Sequence, residues 1–127
     1  MKMQFNFKTK IQDVNQRKKM SENILQSYPD KIPIICEKDP NAKFNGLDKT
    51  KFIIDKDIMV SQLIENLSKK IEIGEKESLF LLVNGKYVIT GNTILGDIYK
   101  KYADKEDGFL YIVYTSKEIW GALQKKF

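Results

Sequence analysis

Phe109-Leu110-Tyr111-Ile112-Val113-Tyr114 is the stretch on which the fold turns. Its β-branched and aromatic side chains favour a strand. Both alternating faces are apolar, so neither suits water. The strand therefore belongs in the middle of a sheet, where parallel pairing is available to it. Just upstream, Leu79–Val83 reads as a second buried strand. Asn84-Gly85 follows as a type I′ turn, in which both positions need positive φ, and Lys86–Ile89 is the return strand. Between this hairpin and the last strand, Ile94, Leu95, Ile98, Tyr99 and Tyr102 mark a helix that Asn92 or Thr93 can cap.

Val60, Leu63, Ile64, Leu67 and Ile71 recur at helical spacing and predict a long helix over 59–71 that crosses the sheet, apolar side inward. Lys51-Phe52-Ile53-Ile54 precedes it as a strand, and 38–50 is a polar loop with Pro40 and Gly46. Ile32-Pro33-Ile34-Ile35-Cys36 is another strand. Its proline cannot donate to a ladder, which predicts an edge or strand-start position. Before it, Met20, Ile24 and Leu25 lie on one side of a helix over 15–27, stopped by Tyr28-Pro29-Asp30. Phe5, Phe7 and Ile11 suggest a short helix over 5–12. The order is α-α-β-β-α-β-β-α-β. That is an α+β, ubiquitin-like β-grasp with two additional N-terminal helices. One domain over 1–121 is expected, with a helical extension to about residue 30 and a flexible tail from about 115.

With 127 residues, 42% of them hydrophobic, the chain has room for one domain and a real core. No apolar run approaches the roughly 18 residues of a spanning helix. The N-terminus lacks a signal-peptide core, so a cytoplasmic protein is expected. A single cysteine, Cys36, excludes an intramolecular disulfide and suits a reducing compartment. It lies in an apolar strand and reads as a buried structural thiol.

Histidine is absent. Ser-His and Cys-His nucleophilic pairs and most zinc sites go with it. Gly91 and Gly96 have the spacing of a phosphate loop, but Asp97 and Ile98 stand where Lys and Ser/Thr are needed. No catalytic residue, metal site or cofactor is expected, and the chain does not read as an enzyme. The net charge of +5 suits nucleic acid, a membrane surface or acidic peptides. The lysines are spread along the chain, however, and a merely solvated surface explains them as well.

Four segments together carry a family likeness: Tyr28-Pro29-Asp30-Lys31-Ile32-Pro33-Ile34-Ile35-Cys36-Glu37-Lys38, Leu47-Asp48-Lys49-Thr50-Lys51-Phe52, Asp107-Gly108-Phe109-Leu110-Tyr111, and the pair Trp120-Gly121. The chain resembles the autophagy ubiquitin-like modifiers of the GABARAP and light-chain-3 type over nearly its whole length. It departs from them at Met20, where an acidic residue is usual, at Asp55 for a proline, at Asn66 for an apolar residue and at Trp120 for Phe or Tyr. One-residue insertions are needed around 84–92 and 103–107.

The resemblance implies a life cycle. A processing cysteine protease trims Ala122–Phe127 as a propeptide, leaving Gly121 terminal. Ubiquitin-like activating and conjugating enzymes then join Gly121 to phosphatidylethanolamine, which places the protein on autophagosomal or related vesicle membranes. Cargo receptors dock through aromatic-x-x-aliphatic motifs. A monomer with no nucleic-acid partner is expected.

Residues 51–54 alternate, so Lys51 and Ile53 face one way and Phe52 and Ile54 the other. An edge strand of this kind can pair with an extended peptide and offer two pockets. The resemblance implies an aromatic pocket at Ile24, Pro33, Ile35, Lys51, Ile53 and Phe109. It implies an aliphatic pocket at Phe52, Ile54, Ile58, Leu63 and Leu67, made more polar by Asn66. Ordinary core is the competing reading, most evenly balanced at Leu63 and Leu67. Lys31, Lys49 and Lys70, beside Lys51, are candidates to meet acidic residues flanking a motif. Gly121 has a chemical logic of its own, because a residue without Cβ passes a narrow channel in conformations closed to others. Trp120 is either a recognition aromatic or a packing residue. The alternative function is a β-grasp module that binds nucleic acid or microtubules electrostatically and is never conjugated. A steep salt dependence without peptide preference would mark it.

Overall fold

The computed structural model describes residues 4–74 and 77–116. The elements are α1 (Asn6–Lys10), α2 (Val14–Ser27), β1 (Lys31–Lys38), β2 (Lys51–Asp55), α3 (Val60–Ile71), β3 (Leu79–Val83), β4 (Tyr87–Val88), α4 (Leu95–Tyr102) and β5 (Leu110–Ser116). Their order is the one the sequence predicts. The strands form a mixed sheet in the order β2-β1-β5-β3-β4.

β5 is central. It runs parallel to β1, from Ile34 opposite Leu110 to Lys38 opposite Tyr114. On its other side it runs antiparallel to β3, from Leu79 opposite Ser116 to Val83 opposite Ile112. Its two apolar faces serve two separate cores. Leu110, Ile112 and Tyr114 join Ile32, Ile34, Phe52 and the inner face of α3, where Val60, Leu63, Leu67 and Ile71 are buried and Ile64 packs at the margin. Phe109, Tyr111 and Val113 face the other way, onto Phe5, Phe7, Ile24 and Ile35. Phe5 precedes α1, Phe7 and Ile24 come from α1 and α2, and Ile35 from β1, so the N-terminal segment covers a sheet face that would otherwise lie open.

Four expectations need correction. Of the two placements expected for Pro33, edge or strand start, the edge is ruled out, since its strand lies between β2 and β5. Its missing donor is harmless because the parallel ladder to β5 begins only at Ile34, so Pro33 sits ahead of the first rung on that side. α4 is not capped by Asn92 or Thr93. Residues 93–95 are held extended, since Val60 N–H donates to the Thr93 carbonyl at 2.8 Å and Leu95 N–H to the Ile58 carbonyl at 2.9 Å. The helix therefore starts at Leu95 behind Ile94. The return strand is shorter than Lys86–Ile89. Asn84 and Gly85 have the expected positive φ (57° and 69°). Lys86 is used to close the turn onto the Val83 carbonyl, and pairing resumes with Val83 opposite Tyr87. Finally, the tail does not begin at 115: Thr115 and Ser116 continue the ladder opposite Phe80 and Leu79, and Thr115 is fully buried.

Candidate functional site

β2 is an edge strand, and its hydrogen-bond parity can be read from its neighbours. Cys36 N–H donates to the Thr50 carbonyl at 2.8 Å, and Lys56 N–H donates to the Asp30 carbonyl at 3.0 Å. In an antiparallel pair the bonded positions alternate. Phe52, opposite Ile34, and Ile54, opposite Ile32, therefore turn their backbone groups toward β1. Lys51, Ile53 and Asp55 turn their N–H and C=O groups the other way, where β2 has no strand neighbour among the described residues. This is a ready template for an added strand.

The side chains divide as the alternation predicts. Phe52 joins the α3 core, and Ile54 and Ile58 pack half-buried against it. Leu63 and Leu67 lie deeper in the same cluster, so from where they stand they can form a floor but not a lip. Asn66 is exposed on α3. On the opposite face Ile53 is 37% exposed, Pro33 and Ile24 are buried, and Lys51 is half-buried. Ile35 and Phe109 are completely buried, with the Phe7 ring edge-on to Phe109 at 5.0 Å. Met20 packs against this second cluster.

The candidate lysines are placed unequally. The Lys49 and Lys70 ammonium groups lie 5.3 Å and 5.7 Å from the centre of the Phe52 ring, on the face assigned to the aliphatic pocket. The loop before Lys49 is held by Leu47 N–H donating to the Tyr114 hydroxyl at 2.9 Å and by Phe44 stacked on the Tyr114 ring. Lys31 instead pairs with Asp55 at 2.9 Å, at the end of β2.

The supports beneath the aromatic side went unread in the sequence. Asp107 is buried, and its carboxylate accepts from Arg17 Nε at 2.8 Å, the Tyr111 hydroxyl at 2.6 Å and Phe109 N–H at 2.9 Å. Arg17 also donates to the Ile11 and Gln12 carbonyls. Burial alone would lower the guanidinium pKa, but the bond to Asp107 and the surrounding negative charge outweigh it. Burial first, and then donation to Asp107, push the Tyr111 phenol well above its ordinary range. Gly108 must be glycine: its φ is +79°, and a Cβ would meet Ser21 Oγ at 2.7 Å. That hydroxyl is already bonded to the Asp107 carbonyl. Together these contacts anchor α2 to the start of β5. At α1, the buried Glu37 carboxylate accepts from Asn6 N–H at 2.8 Å and Phe7 N–H at 2.9 Å, seating that helix on the sheet. The dipeptide Asp107-Gly108 was the available signal for the first of these clusters, but nothing local names Arg17 as its partner.

Cys36 is buried, and burial pushes its thiol far above the ordinary range. It is no nucleophile in the folded chain. A water-soluble disulfide reagent is expected to leave it untouched in buffer and to titrate one thiol in denaturant. Rapid labelling of the native protein would contradict this placement.

Trp120, Gly121 and Ala122–Phe127 lie outside the described residues. Among the described residues no helix is long and apolar enough to cross a membrane.

Comparison with known proteins places this architecture. The family model described as autophagy protein Atg8, ubiquitin-like, matches residues 16–121. The chain is 35% identical over 107 residues to autophagy-related protein 8 of Mycosarcoma maydis, covering 84% of this chain and 89% of that protein. It is 34% identical over 102 residues to human microtubule-associated protein 1 light chain 3 gamma, covering 80% of this chain and 69% of the relative. The crystal structure of Trypanosoma brucei ATG8 superposes with a TM-score of 0.77 at 33% identity, over 83% of this chain and 89% of that one. A family match over residues 16–121, relatives at 34–35% identity and a solved relative of the same fold leave one conclusion: the chain belongs to the Atg8 family of ubiquitin-like autophagy proteins.

Proposed function

We propose that this chain acts as a lipid-conjugated adaptor. It is joined through Gly121 to phosphatidylethanolamine and recruits cargo receptors whose aromatic-x-x-aliphatic segments add a strand to β2. A processing cysteine protease exposes Gly121 by removing Ala122–Phe127, and activating and conjugating enzymes of the ubiquitin type carry out the transfer. Conjugation brings the domain to autophagosomal or related vesicle membranes. The family match that ends at residue 121 supports the choice of glycine. No catalytic residue of its own enters this scheme.

The observation that carries the docking half is the outer edge of β2, with Lys51 and Ile53 presenting backbone groups to solvent. Main-chain bonds there suit any extended peptide, so selectivity must come from the side chains on either face. Ile53, with Ile24, Pro33, Ile35, Lys51 and Phe109 beside and beneath it, is the aromatic side. Phe52, Ile54 and Ile58, over Leu63 and Leu67, are the aliphatic side. Lys49 and Lys70, set over the Phe52 ring, and Lys31 at the strand end meet acidic flanking residues.

Calorimetric titration with an aromatic-x-x-aliphatic peptide tests this. Ile53→Ala is expected to weaken binding about tenfold or more, as truncation of a central anchor commonly does. Ile53 is partly exposed, so the fold should be spared. Phe52→Ala should weaken binding at least as much, but Phe52 is core, and part of its effect is lost packing. Lys49→Ala should matter less, and mostly at low salt. Unchanged affinity in folded Ile53→Ala protein would move the docking site elsewhere.

A further inference from the structure

The docking edge does not end at Ile53. Parity along β2 turns three residues outward: Lys51, Ile53 and Asp55. Asp55 stands opposite Lys31 in a position that makes no main-chain bond to β1, since its neighbours Ile54 and Lys56 are the bonded ones. No acceptor among the described residues takes its N–H. Its side chain is turned aside instead, pairing with Lys31 Nζ at 2.9 Å with both groups solvent-exposed. The backbone at Asp55 is thus a donor and an acceptor at the open margin of the sheet, with the side chain drawn off by its ion pair.

We infer that Asp55 supplies a further rung, so that this chain prefers receptor segments that stay extended for at least two residues past the aliphatic anchor. The inference rests on the peptide-docking reading above and deepens it. Ile54 and Ile58, on the aliphatic side, lie at the Asp55 end of the strand. A motif whose aliphatic residue enters there runs in the direction of β2, and its following residues come alongside Asp55. Strand addition gains through each paired N–H and C=O whatever side chains accompany them, so length alone should register as affinity. Position 55 is also where the backbone donor can be deleted without loss to the free protein, because it faces solvent on an edge strand and proline is tolerated at such positions.

The test is calorimetric titration of the full chain with three peptides. One is acetylated Trp-Glu-Glu-Leu amide. The others carry two alanines after the leucine or two before the tryptophan. The extension after leucine is expected to tighten binding about fivefold, the size of one to two net backbone hydrogen bonds. The extension before tryptophan should not. In parallel pairing with the leucine opposite Ile54, Asp55 N–H faces the leucine carbonyl and its C=O faces the N–H of the second alanine. Asp55→Pro should therefore weaken binding of the short peptide severalfold, and N-methylation of the second alanine should remove the gain. Asp55→Asn keeps the N–H, loses the charge and should retain the gain. This variant separates the rung from the Lys31 ion pair. No gain from the leucine-side extension in the wild-type chain, or an undiminished gain with the N-methylated extension, overturns the inference while leaving the docking site standing. A short peptide that fails to bind, or that ignores Ile53→Ala, overturns the docking site and the inference with it.

Discussion

Asp107→Ala is expected to be among the most damaging single substitutions in the described structure, lowering stability by about 3–5 kcal/mol. The carboxylate is fully buried and holds three donors at once: Arg17 Nε, the Tyr111 hydroxyl and Phe109 N–H. Alanine leaves the Arg17 guanidinium almost without solvent and without a counter-charge, and it orphans two further polar groups. Small domains have only about 5–15 kcal/mol in total, so the loss should show as a large drop in urea midpoint and a melting temperature lower by roughly ten degrees or more. Asp107→Asn keeps the shape and an acceptor oxygen and should fall between. A melting temperature unchanged in Asp107→Ala would mean that α2 is not anchored through this cluster. Because Phe109 and Ile24 belong to the core that Arg17 and Asp107 tie together, folded Asp107 variants should also lose peptide affinity while their α3 side remains ordered.

Gly121→Ala is expected to stop lipid conjugation, or the processing step before it, and to leave stability untouched. The sheet and the two cores described above are drawn from residues up to Ser116, and the substitution lies outside that set. A single methyl group matters in the proposed chemistry for a steric reason. The terminal residue must present its carboxyl through enzyme channels in backbone conformations that a Cβ forbids. Incubating the purified chain with the matching protease, activating and conjugating enzymes and phosphatidylethanolamine vesicles, and following intact mass, reads both steps. The wild-type chain should first lose Ala122–Phe127 and then gain the lipid mass, and the variant should stall. Normal lipid attachment to Gly121→Ala would show that the wrong glycine was chosen. Removal of Gly121 with everything after it should abolish attachment in the same assay.

Much of this molecule was legible from local pattern. Alternation in 109–114 revealed a strand buried on both faces, and the 3.6-residue spacing of Val60, Leu63, Leu67 and Ile71 revealed the inner face of α3. Asn84-Gly85 announced its turn because positive φ at two successive positions is a demand on the residues themselves. The division of Lys51 and Ile53 from Phe52 and Ile54 likewise needed nothing beyond the pleat of a strand. In each case the property belongs to a short stretch of backbone and is decided by its own side chains.

What escaped local reading depends on partners far along the chain. Pro33 allowed an edge or a strand start; its strand is interior, and the proline is tolerated because the first rung to β5 falls one residue later. The start of α4 was shifted by bonds from Val60 and Leu95 across the Met59–Ile94 bridge, and the end of β5 was extended by its pairing with β3. Arg17 and Asp107 are 90 positions apart, and neither carries a sign of the other. The composition of β2 made its two side-chain faces legible, but not that its free side carries the N–H groups of residues 51, 53 and 55. That parity follows from bonds made by Cys36 and Lys56, and hydrogen-bond register between strands is a property of the assembled sheet.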